Sequence, residues 1–144
     1  MIIKPMIRNN ICLNAHPEGC RKEVRLQAVR VMNFRERLSK SSINDSSAKP
    51  NHALIIGCST GYGLASRLVA AFGYGAETVG FSYEKEPSAT KPATPGWYAN
   101  KEFDRLAQEK GLFAASFSQI DAFLTRPNRR PSKLRWRINS NTIW

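Results

Sequence analysis

The sequence predicts an α/β fold built on a parallel βαβαβ sheet, and three observations carry that prediction. A short apolar run, Ala53-Leu54-Ile55-Ile56, meets three glycines spaced G-x-x-x-G-x-G at Gly57, Gly61 and Gly63. Apolar residues then recur with helical period at Leu64, Leu68, Ala71 and Phe72. A second apolar run, Thr78 to Tyr83, ends in Glu84, about 21 residues beyond Gly63.

The first run is too short for a helix and reads as strand, tight turn, helix. Glycine is needed where the backbone takes positive φ or must approach a ligand closely. The first amides of the new helix have no internal partners and point outward at the positive dipole end, which makes a seat for a phosphate. In dinucleotide-binding βαβ units an acid about 20 residues past the glycines accepts hydrogen bonds from the ribose hydroxyls. Glu84 therefore favours NAD(H) over NADP(H), whose extra phosphate it repels. The alternative is an ordinary strand-to-helix turn, with Glu84 closing a strand.

At 144 residues and 42% hydrophobic, the chain supplies one compact domain with a single core. That is too little for a cofactor half and a substrate half together. Met1-Ile2-Ile3-Lys4-Pro5 is followed by no long apolar stretch, so neither a signal peptide nor a membrane span is read and a cytoplasmic location is expected. Cys12, Cys20 and Cys58 are an odd number, which favours free thiols over disulfides. Cys12, His16 and Cys20 are spaced like a partial zinc site, but no second cluster follows, so no metal is expected. His16 reads as a structural hydrogen-bonder or a surface residue.

The formal charge of +11 is unevenly spread: Arg126, Arg129, Arg130, Lys133, Arg135 and Arg137 place +6 in residues 124–144 without an acid, leaving +5 on the first 123. A domain division follows. Residues 1–52 are an N-terminal extension with an amphipathic helix and a linker, 53–123 the nucleotide-binding half, and 124–144 a basic, disordered tail.

Within the extension, the first 20 residues read as a short extended piece closing in a His16-Pro17-Glu18-Gly19 turn. Val24, Ala28, Val31 and Leu38 then fall at helical spacing over 21–38, and Ser39 to Asn51 is a polar link. After Glu84, the prolines at 87, 92 and 95 exclude regular helix and leave a loop to Gly96. Trp97 and Tyr98 close it, either packing over a ligand or anchoring the loop to the core. Asn100 reads as the N-cap of a helix carrying Phe103, Leu106 and Ala107, with Gly111 at its C′ position. Leu112 to Phe117 reads as a third strand. Strand-helix-strand-helix-strand is the Rossmann-like half of a doubly wound sheet, here a partial one.

Several stretches in order resemble one family. These are Met1-Ile2-Ile3-Lys4-Pro5, the run Ile11-Cys12-Leu13-Asn14-Ala15-His16-Pro17-Glu18-Gly19-Cys20, the glycine segment Gly57 to Arg67, and Gly96-Trp97-Tyr98. They resemble the NADH-dependent trans-2-enoyl-CoA reductases and FabV-type enoyl-acyl-carrier-protein reductases of fatty acid synthesis. The resemblance implies a monomeric Rossmann-type enzyme that uses NADH to reduce the 2,3 double bond of an enoyl thioester, with hydride going to C3 and a proton to C2. It implies that Gly57, Cys58, Ser59, Thr60, Gly61 and Tyr62 line the pyrophosphate and that Tyr83 and Glu84 hold the adenosine. Asp121 and Ala122 would lie beside the adenine, although Ser118-Gln119-Ile120 departs from the family's glycine-containing turn just before them.

Agreement ends at Phe123. The family's catalytic pair is a Tyr and a Lys separated by eight residues, and the positions nine beyond Tyr62, Tyr74, Tyr83 and Tyr98 are Ala71, Tyr83, Pro92 and Ala107. The shorter Tyr-x-x-x-Lys spacing fails as well, at Ser66, Thr78, Pro87 and Glu102. No catalytic residue is therefore assigned. Codons for Leu124-Thr125-Arg126-Pro127-Asn128, read one base earlier, can encode the Ser-Asp-Glu-Ala-Lys with which the family continues. The expectation is a cofactor-binding fragment, silent alone, whose tail arose by frameshift and whose exposed sheet makes it marginally stable and prone to aggregate. Two other readings remain open: a fragment of another NAD(P)-dependent Rossmann oxidoreductase, and a nucleic-acid-binding module using the Arg-rich tail with Trp136 and Trp144 for stacking.

Overall fold

A computed structural model describes residues 7–8, 11–12, 15–40, 49–89 and 92–119. Asp121, Ala122, most of the polar link and the basic tail lie outside the described residues. Strands β1 (Ile7–Arg8) and β2 (Ile11–Cys12) pair antiparallel. Helix α1 (Pro17–Lys40) leads to β3 (His52–Ile56), α2 (Gly61–Leu68), a π-helical turn over Val69–Gly73, β4 (Glu77–Phe81), α3 (Pro95–Glu109) and β5 (Ala114–Phe117). Strands β3, β4 and β5 form one parallel sheet in that order, the predicted βαβαβ. No helix among the described residues is long and apolar enough to cross a membrane.

Helix α1 starts where a turn is predicted. Pro17 suits a first helical position because its missing N–H has no helical acceptor there, and His16 Nδ1 accepts the Gly19 N–H at 3.0 Å. Of its predicted apolar stripe, Val24 and Ala28 are buried and Val31 packs at the core's edge, but Leu38 is exposed. The cause is length: 24 residues span about 36 Å, further than the 15-residue α3 that α1 lies against.

Helix α3 also starts earlier than its sequence suggests. Pro95 opens it instead of breaking the chain, with Thr94 extended before it. Asn100 is consequently inside the helix and buried, and caps nothing. Trp97 and Tyr98 lie in its first turns. Tyr98 anchors: it is buried against Ala15 and Ala93, and its hydroxyl oxygen accepts the Ala93 N–H at 3.3 Å. Gly111 ends the helix at φ +68, and Leu112 bonds back to Ala107 there, so β5 begins only at Ala114.

The core lies between the helices and one face of the sheet. Leu64, Leu68, Ala71 and Phe72 meet Val24 and Ala28 of α1 and Ala99, Phe103 and Ala107 of α3, with the Phe72 and Phe103 rings 5.4 Å apart. The register aligns Leu54 with Val79 and Ala115, and Ile56 with Phe81 and Phe117, so these rows share the opposite face. Leu54 and Ile56 are 66% and 61% exposed, which leaves that apolar face of β3 uncovered.

A buried acid clamps α1 to α3. Glu102 accepts hydrogen bonds from Arg25 Nε at 2.7 Å and from the Arg105 guanidinium at 2.6 Å, with its side chain 2% exposed. Burial pushes its pKa up, but the bonds from Arg105 and Arg25 outweigh burial and hold it below the ordinary 4.5. A depressed carboxyl pKa stabilises the fold fully above the unfolded value, and that contribution is lost as pH falls through the folded value. Glu102→Gln is therefore expected to lower Tm at neutral pH and to shrink the further loss below about pH 4.5. Asp104, whose pKa burial raises, contributes with the opposite sign, so the difference between wild-type and variant melts isolates Glu102. Equal acid slopes in the two proteins contradict the assignment.

Candidate functional site

The site is the turn from β3 into α2 together with the carboxyl end of β4. Gly57 and Gly61 have φ of +74° and +54°, values that strain any residue with a Cβ, and an added Cβ at either would meet open space. Gly63 is required for a different reason. A Cβ there would lie 2.7 Å from the carbonyl carbon of Gly57 and closer still to its oxygen, so α2 packs directly on the turn.

The amides of Gly57 and Cys58 both donate to the Phe81 carbonyl, at 2.8 and 3.2 Å, which pins the turn to the tip of β4. Those two are occupied. The amides of Gly61, Tyr62 and Gly63 open α2, whose first ladder bond is Leu64 N–H to Thr60 O at 3.2 Å. Thr60 stands extended at the cap position and makes no side-chain capping bond. The opening amides are thus presented to the outside, as an anion site requires.

The predicted residues divide by where their side chains go. Tyr62 is 95% exposed and Tyr83 64% exposed, beside the turn and at the end of β4. Cys58 is fully buried: its thiol faces Asn100 Oδ1 at 3.6 Å, and burial raises its pKa against the lowering influence of Arg67. Ser59 is buried as well and donates its hydroxyl to Glu84 Oε1 at 2.5 Å. Cys58 and Ser59 can therefore meet a ligand only through their backbone. Glu84 is half-buried and also accepts the Thr94 hydroxyl on Oε2. The structure thus gathers Gly57 to Tyr62, Tyr83 and Glu84 at one edge of the sheet, while Asp121 and Ala122 fall outside the described residues. Two shallow clefts of about 410 Å³ each, one beside Pro50 and Val69 and one beside Arg35 and Lys110, lie away from this edge.

Sequence reasoning missed the support beneath the turn. Arg67 of α2 has no exposed surface and spans the sheet: Nε bonds Thr78 Oγ1 at 3.3 Å, NH1 bonds Ser116 Oγ at 2.6 Å, and NH2 bonds Ala115 O at 3.0 Å and Asp104 Oδ1 at 3.2 Å. The guanidinium carbon also lies 4.1 Å from the Phe103 ring centroid. Gly80 makes room for it, since a Cβ there would stand 2.9 Å from Arg67 Cζ. Burial lowers the Arg67 pKa and Asp104 opposes that change, leaving the group charged. A signal was available: position 67 falls on the buried helical face between Leu64 and Ala71. Asn100 Nδ2 completes the layer by donating to Ser82 Oγ at 2.9 Å.

A strand, a turn held by left-handed glycines, a helix opening onto free amides and an acid at the end of the next parallel strand together define a dinucleotide-binding βαβ unit. A family model for the NAD(P)H binding domain of trans-2-enoyl-CoA reductase matches residues 2–89. The chain belongs to that family. It is 50% identical to the NADH-dependent trans-2-enoyl-CoA reductase of Treponema denticola over 123 residues, covering 85% of this chain and 30% of the relative. Over the same length and share of this chain it is 52% identical to an NADH-dependent enoyl-acyl-carrier-protein reductase of Pseudoalteromonas atlantica, covering 29% of that relative.

Solved structures agree. The crystal structure of the Treponema enzyme in complex with NAD superimposes with a TM-score of 0.73, over 85% of this chain and 30% of that one. A Clostridium trans-2-enoyl-CoA reductase in complex with NADH gives 0.67 at 35% identity, over 87% and 29%. The chain therefore spans about 30% of the length of the curated relatives it matches, and the matched part is their N-terminal, cofactor-binding portion.

Proposed function

We propose that this chain is the NADH-binding portion of an enoyl-thioester reductase and does not carry out the reduction by itself. The observation that carries the reading is the meeting, at one sheet edge, of the glycine turn, the unbonded amides of α2 and the Glu84 carboxylate. Gly57, Cys58, Ser59, Thr60, Gly61 and Tyr62 line the pyrophosphate, with the amides of Gly61, Tyr62 and Gly63 donating to it. Glu84 accepts from the ribose hydroxyls and repels a 2′-phosphate, which makes the cofactor NADH and not NADPH. Tyr83 lies along the adenosine, and Asp121 with Ala122 beside the adenine.

When bound, NADH supplies the hydride for C3 of a trans-2-enoyl thioester of CoA or acyl carrier protein. The residues of this chain bind and orient it. Neither Tyr–Lys spacing occurs, so no residue of this chain is assigned to protonating or polarising the thioester. The same reading makes the protein a cytoplasmic monomer and residues 124–144 the product of a changed reading frame, which the DNA beyond the Asp121 codon tests directly.

A chimera tests the function. Residues 1–123, grafted in place of the corresponding segment of the Treponema reductase, are expected to restore NADH-dependent reduction of an enoyl-CoA, while the 144-residue chain alone shows none. A folded chimera that works only with NADPH, or not at all, contradicts the proposal.

A further inference from the structure

We propose that Thr94 is a positioning residue that holds Glu84 in place and so sets the preference for NADH over NADPH; the inference rests on the dinucleotide reading above. The Glu84 carboxylate receives a hydroxyl on each oxygen, Ser59 Oγ on Oε1 at 2.5 Å and Thr94 Oγ1 on Oε2. Two donors on opposite oxygens fix its rotation. Each oxygen keeps a further lone pair, so a ribose diol can still donate to it.

Thr94 is itself held. Its N–H donates to Lys85 O at 3.1 Å and its hydroxyl oxygen accepts the Lys85 N–H at 3.1 Å, closing the loop that leaves β4 back onto its own start. The single hydroxyl proton goes to the ionised carboxylate in preference to Lys85 O, which stands at 3.4 Å. Pro95 follows at the first position of α3, so the helix sets where Thr94 stands. Gly96 completes the seat: a Cβ there would lie 2.7 Å from Ser59 Cβ, 2.5 Å from Glu84 Cδ and closer still to Oε1. No side chain fits between the acid and the glycine turn.

The consequence concerns selectivity. A glutamate free to rotate can swing away from a 2′-phosphate and lose little, whereas one locked between Ser59 and Thr94 meets that phosphate with a fixed negative charge. Thr94 and Gly96 act through Glu84.

The test is fluorescence titration of the full chain with NADH and with NADPH, for wild type, Thr94→Val, Thr94→Ala, Thr94→Ser, Gly96→Ala and Glu84→Gln. Thr94→Val is expected to lower the ratio of NADH to NADPH affinity roughly tenfold, and Thr94→Ser to restore most of it, since the hydroxyl alone carries the effect. Gly96→Ala is expected to lower the ratio by displacing the acid while leaving both hydroxyl donors present. A folded Thr94→Val protein with the wild-type ratio overturns the inference. Where that variant does not fold, a wild-type ratio in Thr94→Ala, which also lacks the hydroxyl, overturns it instead. Glu84→Gln separates the two levels: if it lowers the ratio and Thr94→Val does not, only the role of Thr94 falls. If Glu84→Gln leaves the ratio unchanged, or the wild type binds neither dinucleotide, the underlying reading falls with it.

Discussion

Replacing Arg67 with methionine is expected to cost about 3–5 kcal/mol and to leave most of the chain unfolded at room temperature. The methionine fills much of the volume but none of the donors. Thr78 and Ser116 lose a hydrogen-bond partner, Ala115 O is left without its guanidinium donor, and Asp104 keeps a charge beside an apolar side chain. The lost guanidinium donors are the largest part of the loss, because Asp104 keeps the Ser116 hydroxyl at 2.8 Å and is partly exposed, whereas the acceptors Arg67 served lie within the sheet. Arg67→Lys recovers little, since one ammonium cannot reach four acceptors arranged for a planar fork. Thermal and denaturant melts followed by circular dichroism check this. A fall in Tm of less than about 2 °C for Arg67→Met contradicts the role assigned to the network.

Gly63→Ala is expected to abolish dinucleotide binding, with a loss of about a hundredfold or more, and to destabilise the fold at the same time. The added methyl would press on the carbonyl of Gly57 and lie 3.3 Å from Cys58 Cα, and both neighbours are backbone with no rotamer to change. The turn must then move by about an ångström relative to the opening amides of α2, a misplacement large enough for that loss. Gly57→Ala is the informative contrast. Its Cβ would meet open space, so only the positive φ is strained, at a cost of about 1–2 kcal/mol. Titration of both variants with NADH decides the matter. Wild-type affinity in Gly63→Ala contradicts the close packing of helix on turn.

The central unit was legible because its signal is local. The spacing of Gly57, Gly61 and Gly63, the helical period from Leu64 to Phe72 and the offset of Glu84 all lie within 28 residues, and each reflects backbone geometry that few other residues satisfy. Helix starts were less legible. Pro17 suggests a turn and Pro95 a loop although each occupies a first helical turn, and Asn100 suggests a cap because its type favours caps. Buried polar residues were hardest. Nothing in their residue type marks Arg67 and Glu102 as buried, and their partners on other elements lie between 11 and 77 residues away. The Glu84 seat is of the same kind, since Ser59 and Thr94 reach it from 25 and 10 residues off.

The most direct test of dinucleotide binding is a titration of the wild-type chain with NADH and with NADPH under the same conditions. Saturable binding of NADH, with NADPH weaker by roughly tenfold or more, is the result the glycine turn and Glu84 predict. Equal affinity for the two contradicts the place given to Glu84, and no binding of either contradicts the site itself.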